Sequence, residues 1–185
     1  MVRFSRARDP ATRWSNHVID NSLVLENYSV YKVFSLKKSL IKFLATAFGA
    51  GYVPKIPGTI GSLWGVLLFY ILSAYPFWYQ ILVTLAVCVL SIPLSHEAEK
   101  IIGTKDAKQI CIDEVAGQLV TYLFVSYSLP NLVMGFVLFR LFDILKIFPA
   151  NWAQDELPGG MGIATDDIIA GIQAGLVLLI VGAFI

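Results

Sequence analysis

Three groups of ionisable residues stand against otherwise uncharged stretches of this chain: Asp113-Glu114, the set Arg140, Asp143 and Lys146, and Asp166-Asp167. Carboxylates gathered in this number are ligands for a hard divalent cation, Mg²⁺ above all, which prefers oxygen donors. Such a cation activates water and polarises a phosphoryl group. Arg140 and Lys146 are the complementary partners, able to grip phosphate oxygens and offset charge during transfer. Upstream, a Gly- and Pro-rich stretch carries Thr59 and Ser62, whose hydroxyls and neighbouring backbone N–H groups suit the same phosphate. Together these residue types point to phosphoryl transfer.

Each group also has a plainer reading. Two acids at the start of a helix are favoured by its dipole. Arg140, Asp143 and Lys146, spaced three apart, can form ion pairs on one helix face. Asp106 reads as a loop or cap residue, with a ligand role second. His96 is either a proton donor or a solvated interfacial side chain. What favours the chemical reading is that all three groups fall at one predicted depth of a membrane bundle, where ionisable groups are costly and face a polar interior.

That bundle follows from composition. The chain has 185 residues, 57% apolar and 15% charged, with a mean hydropathy of +0.70. Typical soluble domains hold about 25% charged residues. The net charge of +1 conceals an asymmetry: residues 1–55 carry nine Lys/Arg against three Asp/Glu, whereas 56–95, 115–139 and 168–185 carry none of either. A crossing helix needs about 20 mostly apolar residues. The sequence therefore predicts an all-α, polytopic membrane helix bundle with about five membrane helices, over 59–74, 77–94, 113–127, 132–148 and 166–184. An N-terminal amphipathic helix is expected over 31–48, its Lys32, Lys38 and Lys42 meeting anionic inner-leaflet lipids. Residues 1–30 read as a basic, flexible tail, and 31–185 as a single membrane-embedded catalytic domain. No aromatic interleaving or zinc spacing supports nucleic-acid binding.

Topology follows from charge. With five crossings, the N-terminal region, the loop 95–112 and the loop 149–165 lie on one side, which the positive-inside rule makes the cytoplasm. Cys88 and Cys111 read as small hydrophobes rather than a disulfide framework.

Four motifs resemble those of the bacterial phosphatidylglycerophosphatase A family. They are Gly51-Tyr52-Val53-Pro54-Lys55-Ile56-Pro57-Gly58-Thr59-Ile60-Gly61-Ser62-Leu63; Gly103-Thr104-Lys105-Asp106 with Ile112-Asp113-Glu114-Val115-Ala116-Gly117; Phe139-Arg140-Leu141-Phe142-Asp143-Ile144-Leu145-Lys146-Ile147-Phe148-Pro149; and Gly159-Gly160-Met161-Gly162-Ile163-Ala164-Thr165-Asp166-Asp167-Ile168-Ile169-Ala170-Gly171. They occur in family order over about residues 40–185. One departure is Ile147-Phe148-Pro149, where the family commonly has Pro-Trp-Pro.

The resemblance implies a Mg²⁺-dependent lipid phosphatase of the bacterial inner membrane, with its site facing the cytoplasm. It would release inorganic phosphate from the membrane phospholipid phosphatidylglycerophosphate and leave phosphatidylglycerol; no protein partner is implied. By motif it adds Lys55 to the basic positions and Asp106 to the acids. Catalytic and metal-ligating roles fall to Asp113, Glu114, Asp143, Asp166 and Asp167; phosphate binding falls to Lys55, Thr59, Ser62, Arg140 and Lys146. His96 and Asp106 are possible accessories. Other phosphatase designs fit less well: neither cysteine has an arginine six residues on, no Asp-x-Asp occurs, and only His17 and His96 are present. A small transporter using the same buried charges and a structural membrane protein are the rival classes.

Overall fold

Glycine decides how these helices pack. The computed structural model describes residues 35–182, and the chain divides after Lys37 into Met1–Lys37 and Lys38–Ile185. The tail expected over 1–30 lies outside the described residues. Among those described there are seven helices and no strand: α1 over residues 35–45, α2 Pro57–Leu72, α3 Phe77–Ile102, α4 Ile112–Tyr122, α5 Leu129–Leu145, α6 Ala150–Glu156 and α7 Gly160–Gly182.

The short α4 is the hub. Nine of its eleven residues are buried, although at about 1.5 Å per residue it is only about 16 Å long. Its neighbours come close because side chains are missing where they meet. A Cβ on Gly171 of α7 would strike the Gly117 carbonyl of α4, and one on Gly117 would strike the Asp167 carbonyl and the Phe139 ring. On the other flank, a Cβ on Gly61 or Gly65 of α2 would press into Cys111 or Gln118. Small residues that let helix backbones approach are the usual means of association where lipid removes the hydrophobic drive.

Two helices, α3 and α7, are long and apolar enough to cross a membrane. α2 and α5 are apolar but shorter, with 16 and 17 residues. Large apolar side chains stay exposed along α3 (Leu82, Leu85, Val89 and Leu90) and along α5 (Val133, Val137, Leu141 and Ile144).

Several element boundaries differ from the sequence reading. α2 begins at Pro57, two residues before the expected start, so Gly58 joins Thr59, Gly61 and Ser62 in its first turns. Pro at the first helical position gives up an N–H that would have no helical partner. α3 does not stop near residue 94 but runs through Pro93 to Ile102. Ala98 is fully buried there, Lys100 pairs with Glu97 at 2.8 Å, and only Gly103 at φ 79° ends the helix. α4 ends at Tyr122, five residues early. Ser128 then caps α5 by accepting from Asn131 N–H at 3.2 Å, while the Asn131 side chain donates to the Ser126 carbonyl at 2.9 Å. α6 occupies the first half of the expected loop 149–165. α7 starts at Gly160, so Gly160-Met161-Gly162 opens a helix, and Asp166-Asp167 lie in its second turn.

Far from the acids, the core is aromatic. Phe69 of α2 stacks on Tyr122 of α4 with ring centroids 4.3 Å apart, and the Tyr122 hydroxyl donates to the Leu132 carbonyl at 2.6 Å. Cys88 and Cys111 are both free thiols.

Candidate active site

The acids arrive from two helix starts. Cys111 N–H donates to the Ala45 carbonyl at 2.8 Å, which ties the entry of α4 to the end of α1. Asp113 and Glu114 follow in the first turn; the Asp113 carboxylate accepts from Glu114 N–H at 3.1 Å. α7 repeats the device one and a half turns in, where Asp166 accepts from Asp167 N–H at 2.9 Å. α7 can start where it does because Gly160 has no Cβ to strike the Ile92 carbonyl of α3.

These starts bring Asp113, Glu114 and Asp167 together, with one carboxylate oxygen from each inside a 4.8 Å sphere of mutual distances. Asp113 and Asp167 are buried, and Glu114 Oε2 is a buried oxygen that no protein group satisfies. Three carboxylates this close repel one another and pay desolvation, a cost that a bound cation would relieve. All-oxygen donors with an orphaned lone pair fit a hard divalent ion such as Mg²⁺. These three residues could hold it.

The other two acids face cations of the protein. Asp143 pairs with Arg140 Nη1 at 2.6 Å, and Asp166 accepts from Lys146 Nζ. Arg140 Nη1 also donates to Ser62 Oγ at 3.3 Å, and Ser62 donates to the Gly58 carbonyl at 2.9 Å. Lys146 ends α5 with a left-handed backbone, φ 45°. The chain beyond it is pinned by the Gln173 side chain, which donates to the carbonyls of Ile147 and Phe148 at 3.3 and 2.9 Å. Burial works against the Lys146 ammonium, but Asp166, Asp167 and Asp143 outweigh it and hold its pKa above the ordinary lysine value.

A cavity of about 550 Å³ opens over these groups. Of the residues singled out from sequence, Lys55, Thr59, Asp106, Asp113, Glu114, Arg140, Asp143, Lys146, Asp166 and Asp167 line it. Ser62 does not; it is buried behind Arg140. His96 does not either: it is exposed on α3, packed against Gly159 and Gly160 at the start of α7. Asp106 sits at the rim with φ 49°; its N–H donates to Glu99 at 3.2 Å and its carboxylate accepts from Gln154 at 3.0 Å.

Sequence reasoning missed four contributors. Lys108 lines the cavity, while Glu99, Gln154 and Gln173 hold Asp106 and the segment after Lys146 in place. Lys108 was findable, two residues beyond Asp106; the other three act through contacts that no local pattern announces. The lining carries six acids against four basic side chains, a formal excess of two negative charges that a divalent cation would balance. The first turn of α2 adds Gly58 and Thr59, whose N–H groups precede the helical hydrogen-bond ladder and face an anion favourably. Gly58 is there for space, since a Cβ would collide with Glu114 Oε1.

Comparison with known proteins bears on what this cavity does. The family model described as Phosphatidylglycerophosphatase A matches residues 43–182. Phosphatidylglycerophosphatase A of Escherichia coli is 35% identical over 145 residues, covering 75% of this chain and 81% of its own length. The protein of that name from Haemophilus influenzae is 35% identical over 155 residues, covering 83% and 94%. A Bacteroides thetaiotaomicron protein named "Putative phosphatidylinositol-3-phosphatase" is 29% identical over 145 residues, covering 74% and 90%. No solved structure matches the chain.

Proposed function

The chain belongs to the phosphatidylglycerophosphatase A family and is a phosphatase, and from that premise we propose that it hydrolyses phosphatidylglycerophosphate with the help of Mg²⁺. The observation that carries the Mg²⁺ reading is the convergence of Asp113, Glu114 and Asp167, with Glu114 Oε2 lacking any protein partner.

In this reading the terminal phosphate enters the cavity between the acid trio and the cationic wall. Arg140, held by Asp143 and Ser62, presents its remaining N–H donors to the phosphate oxygens. Lys146, held by Asp166 and kept protonated, supplies a second positive charge. Lys55 and Lys108 draw the anionic headgroup to the mouth, and the backbone N–H groups of Gly58 and Thr59 orient it. Bound to the trio, a divalent cation would supply charge neutralisation and an activated water. Water attacks phosphorus, the P–O bond to glycerol breaks, and the proton released by the water ends on the leaving oxygen. Asp143 and Asp166 act by positioning the two cations, which leaves Asp113, Glu114 and Asp167 as the metal ligands.

The same proposal extends to placement. α2, α3, α4, α5 and α7 cross the bacterial inner membrane, with 31–185 as one catalytic domain and the cavity facing the cytoplasm. Supporting this, the turns joining α2 to α3 and α4 to α5 are uncharged, and Tyr75, Trp78, Tyr79 and Tyr127 gather beside them as an interfacial belt would. At about 16 Å, α4 is shorter than the roughly 30 Å hydrocarbon core, so its ends lie inside the bundle, where irregular backbone is tolerated. Lys38 and Lys42 of α1 would meet anionic lipid. No nucleic acid or protein partner enters this reading.

The test is substrate choice. Purified protein in detergent is given phosphatidylglycerophosphate, phosphatidic acid or phosphatidylinositol 3-phosphate at equal surface density, and kcat/KM for phosphate release is compared. The first substrate is expected to lead by at least tenfold. A lead for either other lipid, or no release from the first, would contradict the proposal.

A further inference from the structure

A second concavity lies on the far side of α2 from Arg140. It measures about 270 Å³ and is lined only by apolar side chains, among them Phe48, Trp64, Leu67 and Ile71 of α1–α2 and Val87 of α3. Resting on the reading of the polar cavity as a lipid phosphatase site, we propose that this groove holds an acyl chain of the substrate lipid.

Continuity with the phosphate cavity carries the assignment. Ile56 lines the polar cavity, and beyond it Ile60, Trp64, Leu67 and Ile71 follow at intervals of four, four, three and four residues. That spacing is one stripe of a helix. A chain leaving the cavity at Ile56 therefore meets apolar residues along this face of α2 as far as the groove. α4 forms the common wall: Asp113 and Glu114 face the cavity, while their neighbours Ile112 and Val115 line the groove.

The dimensions agree. From Pro57 to Ile71 the helix rises about 21 Å at 1.5 Å per residue. That is longer than the roughly 15 Å an acyl leaflet occupies in a 30 Å core. The groove also has a built entrance. Ala47, Phe48 and Gly49 are all left-handed, with φ of 47°, 60° and 93°. This conformation is unfavourable for the first two and persists only where surroundings enforce it. It sets the Phe48 ring edge-on to Trp64, with centroids 5.5 Å apart.

The experiment compares two substrates in mixed micelles: long-chain diacyl phosphatidylglycerophosphate and its deacylated headgroup, glycerophosphoglycerophosphate. Leu67→Trp fills the groove. It should raise KM for the diacyl substrate about tenfold, the equivalent of about two methylenes left unburied, with kcat/KM for the headgroup unchanged. Trp64→Ala, which removes a wall without adding bulk, should weaken only the diacyl substrate as well, and it carries the test if Leu67→Trp fails to fold. Val133→Trp, on the exposed face of α5, should change neither.

Equal effects on both substrates, or no effect from either groove variant, would overturn the assignment. So would an altered oligomeric size in Leu67→Trp without acyl dependence, which would make the groove a contact between copies. Wild-type protein that prefers neither substrate over the other would overturn the groove alone. Wild-type protein that releases phosphate from neither would sink the phosphatase reading and the groove with it.

Discussion

The two ends of the same helices make cavities of similar size and opposite chemistry. At one end the starts of α2, α4 and α7 and the end of α5 enclose about 550 Å³ lined by six acids and four basic residues. At the other, about 450 Å³ lie between Ser73, Phe77, Gln80 and the segment Leu123–Tyr127, without one ionisable acid or base other than Tyr127. Concavity is therefore not what marks the site. What differs is the cost of what lines it. The neutral end is held by stacked aromatics and a Tyr122–Leu132 hydrogen bond and has no unpaid charge. The charged end gathers carboxylates that repel one another unless something positive joins them. One end is arranged for stability, and the other carries an electrostatic cost that the proposed phosphatase site would account for.

That contrast can be broken or sharpened by substitution, starting with the largest effect. Asp167→Asn removes a carboxylate from the trio without changing its size; phosphate release should fall about 10⁴-fold, as when a catalytic group is removed, while the protein elutes as a folded species in detergent. Near-wild-type turnover would place the chemistry elsewhere. Arg140→Lys keeps the charge but loses the planar fork, and kcat should fall about 10²-fold; an unchanged kcat would reduce Arg140 to a partner for Asp143. Gly58→Ala drives a methyl group toward Glu114 Oε1. It should cost about tenfold to a hundredfold in kcat/KM through misplacement alone, and Gly182→Ala, where a Cβ would make only ordinary contact with Asn131 Oδ1 at 3.5 Å, should leave kcat/KM unchanged.

The smallest expected change belongs to the other end. Tyr122→Phe deletes the donor to the Leu132 carbonyl and should lower stability by about 1 kcal/mol, read as a lower Tm, with kcat per folded molecule unaltered. A loss of kcat there would join the two ends functionally and erase the distinction.

Much of the charged end was legible in the sequence, because uncharged helices make isolated acids conspicuous. Asp113-Glu114 and Asp166-Asp167 stood out, and the lining of the cavity includes all four. Their division of labour was not legible. Helical spacing puts Arg140 beside Asp143, but Lys146 reaches Asp166 twenty residues on, a contact that only the packing of α5 against α7 creates. Glycine misled in two places. Gly58 fell outside the expected helix 59–74, and Gly160 and Gly162 read as loop, yet all three lie in helices, where a neighbouring group comes too close for a Cβ. The run Ser95–Lys100 read as a loop because it is polar; it stays helical because Ala98 is buried and nothing stops the helix before Gly103.

The most direct test of the central claim is a metal titration of phosphate release. Purified full-length protein is stripped with EDTA, given phosphatidylglycerophosphate, and assayed as Mg²⁺ is returned, beside Asp113→Asn and Asp167→Asn. Activity should vanish with EDTA and return with Mg²⁺ in the wild type, and stay absent or need far more Mg²⁺ in both variants. Undiminished release in EDTA, or variants that respond to Mg²⁺ as the wild type does, would show that the acid trio is not the metal centre of this enzyme.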